Sequence, residues 1–160
     1  MGKVINLFRE ESHMPNVFDV AQALLNIQSM TNKKLQKLCY YVQAWYLALN
    51  KEPLFENSFE AWIHGPVCPE LYQEFKNYGF TKIPRSNILP NSIADDEYLN
   101  NFIHNIFEMY GDMSGDELEE LTHQEFPWLN ARRGLDSWQS SNNIISYDDM
   151  IEYYSNLYDN

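Results

Sequence analysis

The chain has 160 residues, is 44% hydrophobic and 15% aromatic, and carries a formal net charge of −12. That length suits one domain with a real core, and the apolar content argues against disorder. No apolar run approaches the roughly 20 residues a membrane span needs, and the opening residues, with Arg9, Glu10 and Glu11, lack the apolar centre of a secretion signal, so the reading is a cytoplasmic protein.

The charge is unevenly placed. Residues 1–85 hold nine Lys/Arg and eight Asp/Glu, whereas 86–160 hold two Lys/Arg and fifteen Asp/Glu. The C-terminal half therefore repels phosphate backbones, which speaks against nucleic acid as a partner. It would attract a basic partner and speed the encounter, with ordinary solubility as the plainer explanation.

The segment before Met14 has no useful periodicity. Ser12-His13-Met14 is also what a cloning junction leaves, so 1–13 read as an N-terminal extension or cloning remnant and 14–160 as one domain. Asn16 and Asp19 are spaced as a capping-box pair ahead of Val17, Val20, Leu24 and Ile27, which predicts a helix to about Met30. A second helix is predicted from about Asn32 to Leu49, with Leu35, Leu38, Cys39, Val42, Tyr46 and Leu49 as its apolar stripe. Phe59 to Ile63 alternates as a short strand that Gly65-Pro66 ends. Pro69 suits the first turn of a helix carrying Leu71, Tyr72, Phe75 and Tyr78, closed by Gly79.

Residues 80–92 predict a loop or a short hairpin arm. Leu99, Phe102, Ile103, Ile106 and Tyr110 predict a helix opened by Asp95–Glu97 and closed by Gly111. Ser114 with Glu117, and Ser146 with Asp149, are box-like starts for two more helices, and Pro127-Trp128 opens a short helical turn that Gly134 ends. The fold class is mainly α (α+β): a compact bundle of about six helices with a small antiparallel β element.

Chemistry is sparse. His13, His64, His104 and His123 have no short two-ligand spacing, and Cys39 and Cys68 form no CxxC pair, so neither a metal nor a cofactor is expected and the thiols read as buried and free. His64 reads as steadying the turn beside Gly65-Pro66, and His123 as a partly charged ring at a helix C-terminus. Cys68 precedes a helix N-terminus, which can lower a thiol pKa, but no orienting motif makes it a nucleophile with His123. Lys33, Lys34 and Lys37 read as a solvated face rather than a nucleic-acid contact. Among the aromatics, Trp62 reads as core, and Tyr41 and Trp45, offset from the main stripe, as a second contact surface.

Several pieces occur in a telling order: Lys34-Leu35-Gln36-Lys37-Leu38, Gln43-Ala44-Trp45, Pro53-Leu54-Phe55, Glu60-Ala61-Trp62 with Gly65-Pro66-Val67, and Leu121-Thr122-His123 before Pro127-Trp128. In these the chain resembles the Panacea domain family, the antitoxin-type domain of SocA- and GepA-like proteins of bacteria and their phages. The resemblance implies a non-enzymatic antitoxin that neutralises a cognate protein toxin by direct binding. The alternative it carries is an adaptor delivering the toxin to a ClpXP-like AAA+ protease; a small hydrolase using His64 or His123 is a third reading. The family brings no established catalytic residues. Its matching positions Trp62, Gly65, Pro66, Thr122, His123 and Trp128 fix either the fold or a partner site, and with Tyr41, Trp45 and His64 they make up the candidate partner-binding set.

Overall fold

The structure, a computed structural model, describes residues 14–160, so the reading of 1–13 as an extension lies outside the described residues. Asn16 accepts a hydrogen bond from the Asp19 N–H at 2.9 Å while Asp19 accepts from the Asn16 N–H at 3.2 Å, the expected reciprocal box. Helix α1 (Val17–Ile27) follows and buries Val17, Val20, Ala21, Ala23, Leu24 and Leu25. It stops short of Met30 because the chain turns extended there: strand β1 (Met30–Thr31) pairs antiparallel with Lys82 and Ile83.

Thr31 caps helix α2 (Asn32–Asn50) through the Lys34 N–H, and Lys51, at φ 62°, closes it. This helix is the hub of the fold, packed against elements on several sides and buried even at Asn32, Gln36, Lys37 and Gln43. Its polar side chains are spent on main chain. Gln43 donates to the Phe55 carbonyl at 2.7 Å and accepts from the Leu54 N–H at 2.8 Å, which fastens the Pro53-Leu54-Phe55 loop.

Beyond that loop the sequence reading needs a correction. Strand β2 (Glu60–Trp62) is shorter than Phe59–Ile63, and Gly65-Pro66 does not end the β structure: it is the return strand β3 (Gly65–Val67), in register Ala61 with Pro66 and Trp62 with Gly65. On its other edge β2 takes hydrogen bonds with the later chain, Ala61 N–H to Asn143 O at 2.8 Å and Ile145 N–H to Phe59 O at 2.9 Å. Pro69 then sits in the first turn of α3 (Pro69–Phe75), followed by a 3-10 turn over Lys76–Tyr78. The weak stretch after Phe80 resolves into strand β4 (Lys82–Ile83), the partner of β1, and the short α4 (Asn91–Ala94).

The acidic half is mostly helical, with an irregular stretch over 132–146 that reaches back to β2. Helix α5 (Glu97–Tyr110) is capped by Asp96, α6 (Gly115–Thr122) by a full Ser114–Glu117 box, and α8 (Tyr147–Asp159) by Ser146, with α7 (Phe126–Ala131) between. The fold is mainly α with small antiparallel β elements, as expected. Among the described residues there are eight α-helices rather than about six, because α4 and α7 are too short to leave a readable period. The core runs from α1 through α2 to α8, and both Cys39 and Cys68 are buried in it as free thiols. No helix among the described residues is long and apolar enough to cross a membrane.

Candidate partner-binding site

The lysine trio is where the sequence reading fails most, and the failure locates the site. None of the three forms a simple solvated face. Lys37 is fully buried, with its Nζ donating to the Pro66 carbonyl at 3.3 Å. Burial, then repulsion from Lys33, pulls its pKa down to about 7, with Glu119 acting the other way. Lys33 reaches across to Asp116 and Glu119 on α6, whose carboxylates overcome its own desolvation and raise its pKa. Lys34 donates to the Gly111 carbonyl and to Gln28.

The Lys37 stem explains Gly65. That residue has φ +107°, and a Cβ there would lie 2.7 Å from Lys37 Cε and 3.0 Å from Thr122 Oγ1. Since Lys37 is enclosed, its side chain cannot swing away. The family-like pieces around Lys37, Gly65-Pro66 and Thr122 thus meet at one point, where α2, the hairpin and α6 touch. Thr122, buried itself, returns its hydroxyl proton to the Glu119 carbonyl at 2.8 Å.

The hairpin is suspended from α7 by side chains that hold its main chain. Trp128 Nε1 donates to the Trp62 carbonyl and Arg132 Nη1 to the Ala61 carbonyl, each at 2.9 Å. Arg132, buried, also donates to the Asp136 and Gln139 carbonyls, and its guanidinium lies 5.1 Å from the Trp128 ring centre. His123 stacks on Trp128 with centroids 4.0 Å apart. Burial lowers its pKa, so it is held toward the neutral form and does not serve as the helix-end cation expected of it. Its Nε2 is buried with no hydrogen-bond partner among the described residues.

His64 projects from the hairpin turn, its side chain 72% exposed, and its Nδ1 lies 3.1 Å from Glu119 Oε2; it ties the turn to α6 rather than bracing the turn itself. Burial disfavours the Glu119 carboxylate, but hydrogen bonds from Lys33 and His64 outweigh that and leave its pKa low. Trp62 is half-buried, not core. Its Nε1 donates to Glu60 at 2.9 Å and its ring meets Tyr72 edge-on at 5.1 Å. Trp62, His64, Gly65, Pro66, Thr122, His123 and Trp128 are therefore one structural unit, in which His64 is exposed, Trp62 and His123 are half-buried and the rest are buried.

Tyr41 and Trp45 are elsewhere. Both are inside the chain, 0% and 6% exposed, because α8 and α5 cover that side of α2. Tyr41 stacks on Tyr110 at 4.0 Å and donates to Glu125 Oε1 at 2.7 Å; Trp45 Nε1 donates to the Tyr110 hydroxyl at 2.8 Å. Tyr154 spends its one proton on the same Glu125 oxygen at 2.9 Å, so Tyr40, 3.2 Å away, donates to Tyr154 in turn. Burial raises the Glu125 pKa and the two phenols oppose it.

Cys68 is also corrected in sign: burial pushes its thiol up to about 12, and it lies 3.1 Å from Glu70 Oε2, against the lowered pKa a helix N-terminus could have given. Among the described residues no three His, Cys, Asp or Glu side chains are placed to hold a metal ion. Sequence reasoning missed Lys37, Glu119, Glu125 and Arg132. For Lys37 a signal existed: it stands four residues before Tyr41 on a helix whose neighbouring positions are buried, although the elements that cover it are the hairpin and α6.

The hairpin, α2, α6 and α7 of this helical domain are locked together by these motif residues, and residues 35–129, more than half of the chain, match the family described as antitoxin SocA-like, Panacea domain. The chain belongs to that family. It is also similar to Antitoxin SocA of Caulobacter vibrioides (strain NA1000 / CB15N), 29% identical over 109 residues that cover 62% of this chain and 58% of that protein. The match thus spans little more than half of that relative's length. No solved structure matches the chain.

Proposed function

We propose that this protein is an antitoxin that binds a cognate protein toxin and blocks it, with no chemistry of its own. The family match over residues 35–129 carries this reading, and the name of the Caulobacter relative agrees with it. The docking face is the hairpin unit. Trp62 and His64 stand open on it, while Trp128 and Arg132 hold the backbone beneath them still, so little ordering entropy is lost on binding. Tyr41 and Trp45 contribute by keeping α8 in place rather than by touching the toxin. The acidic half, fifteen Asp/Glu against two Lys/Arg beyond residue 85, steers a basic toxin toward that face.

Co-expression with the product of the adjacent gene tests this. The expected result is relief of growth arrest, co-purification, and at least a tenfold loss of affinity in Trp62→Ala. An adjacent product that is harmless and never co-purifies overturns the reading. Toxin that disappears only when a AAA+ protease is present would replace blocking with proteolytic delivery.

A further inference from the structure

The most exposed large apolar side chain of the described residues is Phe80, at 101% relative exposure. It stands at the tip of a short arm, residues 76–88, and the tip is ordered by its own hydrogen bonds: Gly79 N–H to Lys76 O at 3.1 Å, Thr81 N–H to Tyr78 O at 2.9 Å, and Thr81 Oγ1 to the same carbonyl at 2.6 Å. Gly79, at φ +57°, makes the bend. The arm's root is equally fixed. β4 pairs with β1, Ser29 donates to the Ile83 carbonyl at 2.6 Å, and Arg85 Nε donates to the Asn26 carbonyl at 2.8 Å. An aromatic held out rigidly in water is a cost unless something covers it.

The arm is also the cationic part of an acidic chain. From Phe75 to Ala94 there are Lys76, Lys82 and Arg85 and no carboxylate, and none of the three forms an ion pair among the described residues. Its complement lies on the same molecule. Beside the N-terminal end of α1 an open groove of about 580 Å³ is floored by Leu54, Phe55 and Leu99, walled by Met14 and Tyr98, and rimmed by Glu52, Glu56 and Asp96. Burial, and then the charges of Glu52 and Asp96, raise the pKa of Tyr46 in this groove, which places those carboxylates close around it.

The arm cannot fill its own groove. It is rooted at the C-terminal end of α1, by Leu25 and Asn26, and the groove begins at Met14 and Pro15 at the other end. Eleven helical residues separate them, about 16 Å. Phe80 is two residues from the paired Lys82, a reach of about 7 Å at most. A second copy with its α1 antiparallel to the first would exchange both arms at once, a closed two-fold contact.

We propose that this chain self-associates by reciprocal arm exchange, the Phe80 arm of each copy entering the carboxylate-rimmed groove of the other. Two such arms bury an area at the low end of specific interfaces, so the dimer is micromolar rather than obligate. This surface is separate from the hairpin face and does not depend on the toxin reading.

Sedimentation equilibrium of the isolated full-length chain tests it, over about 5 to 500 µM and at about 50 and 500 mM salt. Wild type is expected to dimerise and to weaken at high salt, and Phe80→Ala to raise the dissociation constant at least tenfold. The doubles Lys82→Glu/Arg85→Glu and Glu52→Lys/Glu56→Lys should each be monomeric alone. Mixed in equal amounts they should dimerise again, because one pair of contacts is then native and the other is reversed but still complementary. A monomeric wild type, an unaltered Phe80→Ala, or a mixture that stays monomeric would each overturn the proposal. So would a Phe80→Ala chain that still dimerises as wild type does but no longer retains the toxin, since the arm would then belong to that partner. All five substituted positions are exposed; Arg85→Glu also gives up the hydrogen bond to the Asn26 carbonyl, so folding is checked by circular dichroism, and dimerisation restored in the mixture separates charge from that loss.

Discussion

The two flanks of α2 are built on different chemistry. Towards α1 the buried residues offered are Val17, Val20, Ala21, Ala23, Leu24 and Leu25, all aliphatic. Towards α8 the seam is Tyr40, Tyr41, Trp45 and Tyr154 around one carboxylate, Glu125. An aliphatic seam needs only area, at about 25 cal/mol per Å² removed from water. An aromatic, hydrogen-bonded seam needs each polar atom placed, so one deletion costs packing and strands a buried partner as well.

The contrast can be broken most forcefully at Tyr154. Tyr154→Ala removes a fully buried ring and leaves Glu125 and Tyr40 short of a partner, with an expected loss of about 4 kcal/mol in urea unfolding. Leu24→Ala on the other flank should cost about 3 kcal/mol, with no polar group exposed. If the two losses come out in the reverse order, the polar centre is not the costlier seam.

Tyr154→Phe sharpens the comparison by keeping the ring: about 1–2 kcal/mol is expected, and the same change at a water-facing tyrosine such as Tyr158 should do nothing measurable. Lys37 gives the test in pH. Below about 7 it is protonated in both folded and unfolded chains and its burial penalty is complete. Between that value and the ordinary 10.5 the unfolded chain holds a proton the folded chain lacks, so stability rises with pH. The slope is at most about 1.4 kcal/mol per pH unit. Lys37→Met should remove most of this rise between about pH 7 and 8, with a smaller share owed to Lys34, whose pKa burial also lowers; towards pH 9 Cys39 and Cys68, whose thiols burial holds protonated in the folded chain, turn the slope the other way. An unchanged slope would mean the ammonium is solvated. The smallest effect is at the aliphatic flank's own start, where Asn16→Ala should cost about 1 kcal/mol by loss of the cap.

The aliphatic flank was legible in the sequence because its period of 3.6 and its Asn16–Asp19 box are local signals. So were the Ser114 and Asp96 starts and the Gly111 stop. The polar flank was not. Tyr41, Trp45 and Lys37 carry groups that belong equally at a surface, and only distant elements decide that they are inside: α5 and α8 over Tyr41 and Trp45, the hairpin and α6 over Lys37. Gly65-Pro66 failed for a similar reason. Pro66 reads as a breaker, but in a two-stranded ribbon it can face away from the ladder, and the need for glycine at 65 comes from the Lys37 stem, which no neighbouring residue reveals. The family-like motif pieces were visible as words. That they converge on one buried ammonium was not.

Trp128 and Arg132 grip oxygens of the β2 backbone, and every residue type supplies the same oxygen there. The outward side chain at Trp62 is therefore independent of that anchorage, whereas His64 adds a tie of its own to Glu119. Exchanging Trp62 alters what the ribbon displays without loosening the grip of Trp128 and Arg132 on its backbone.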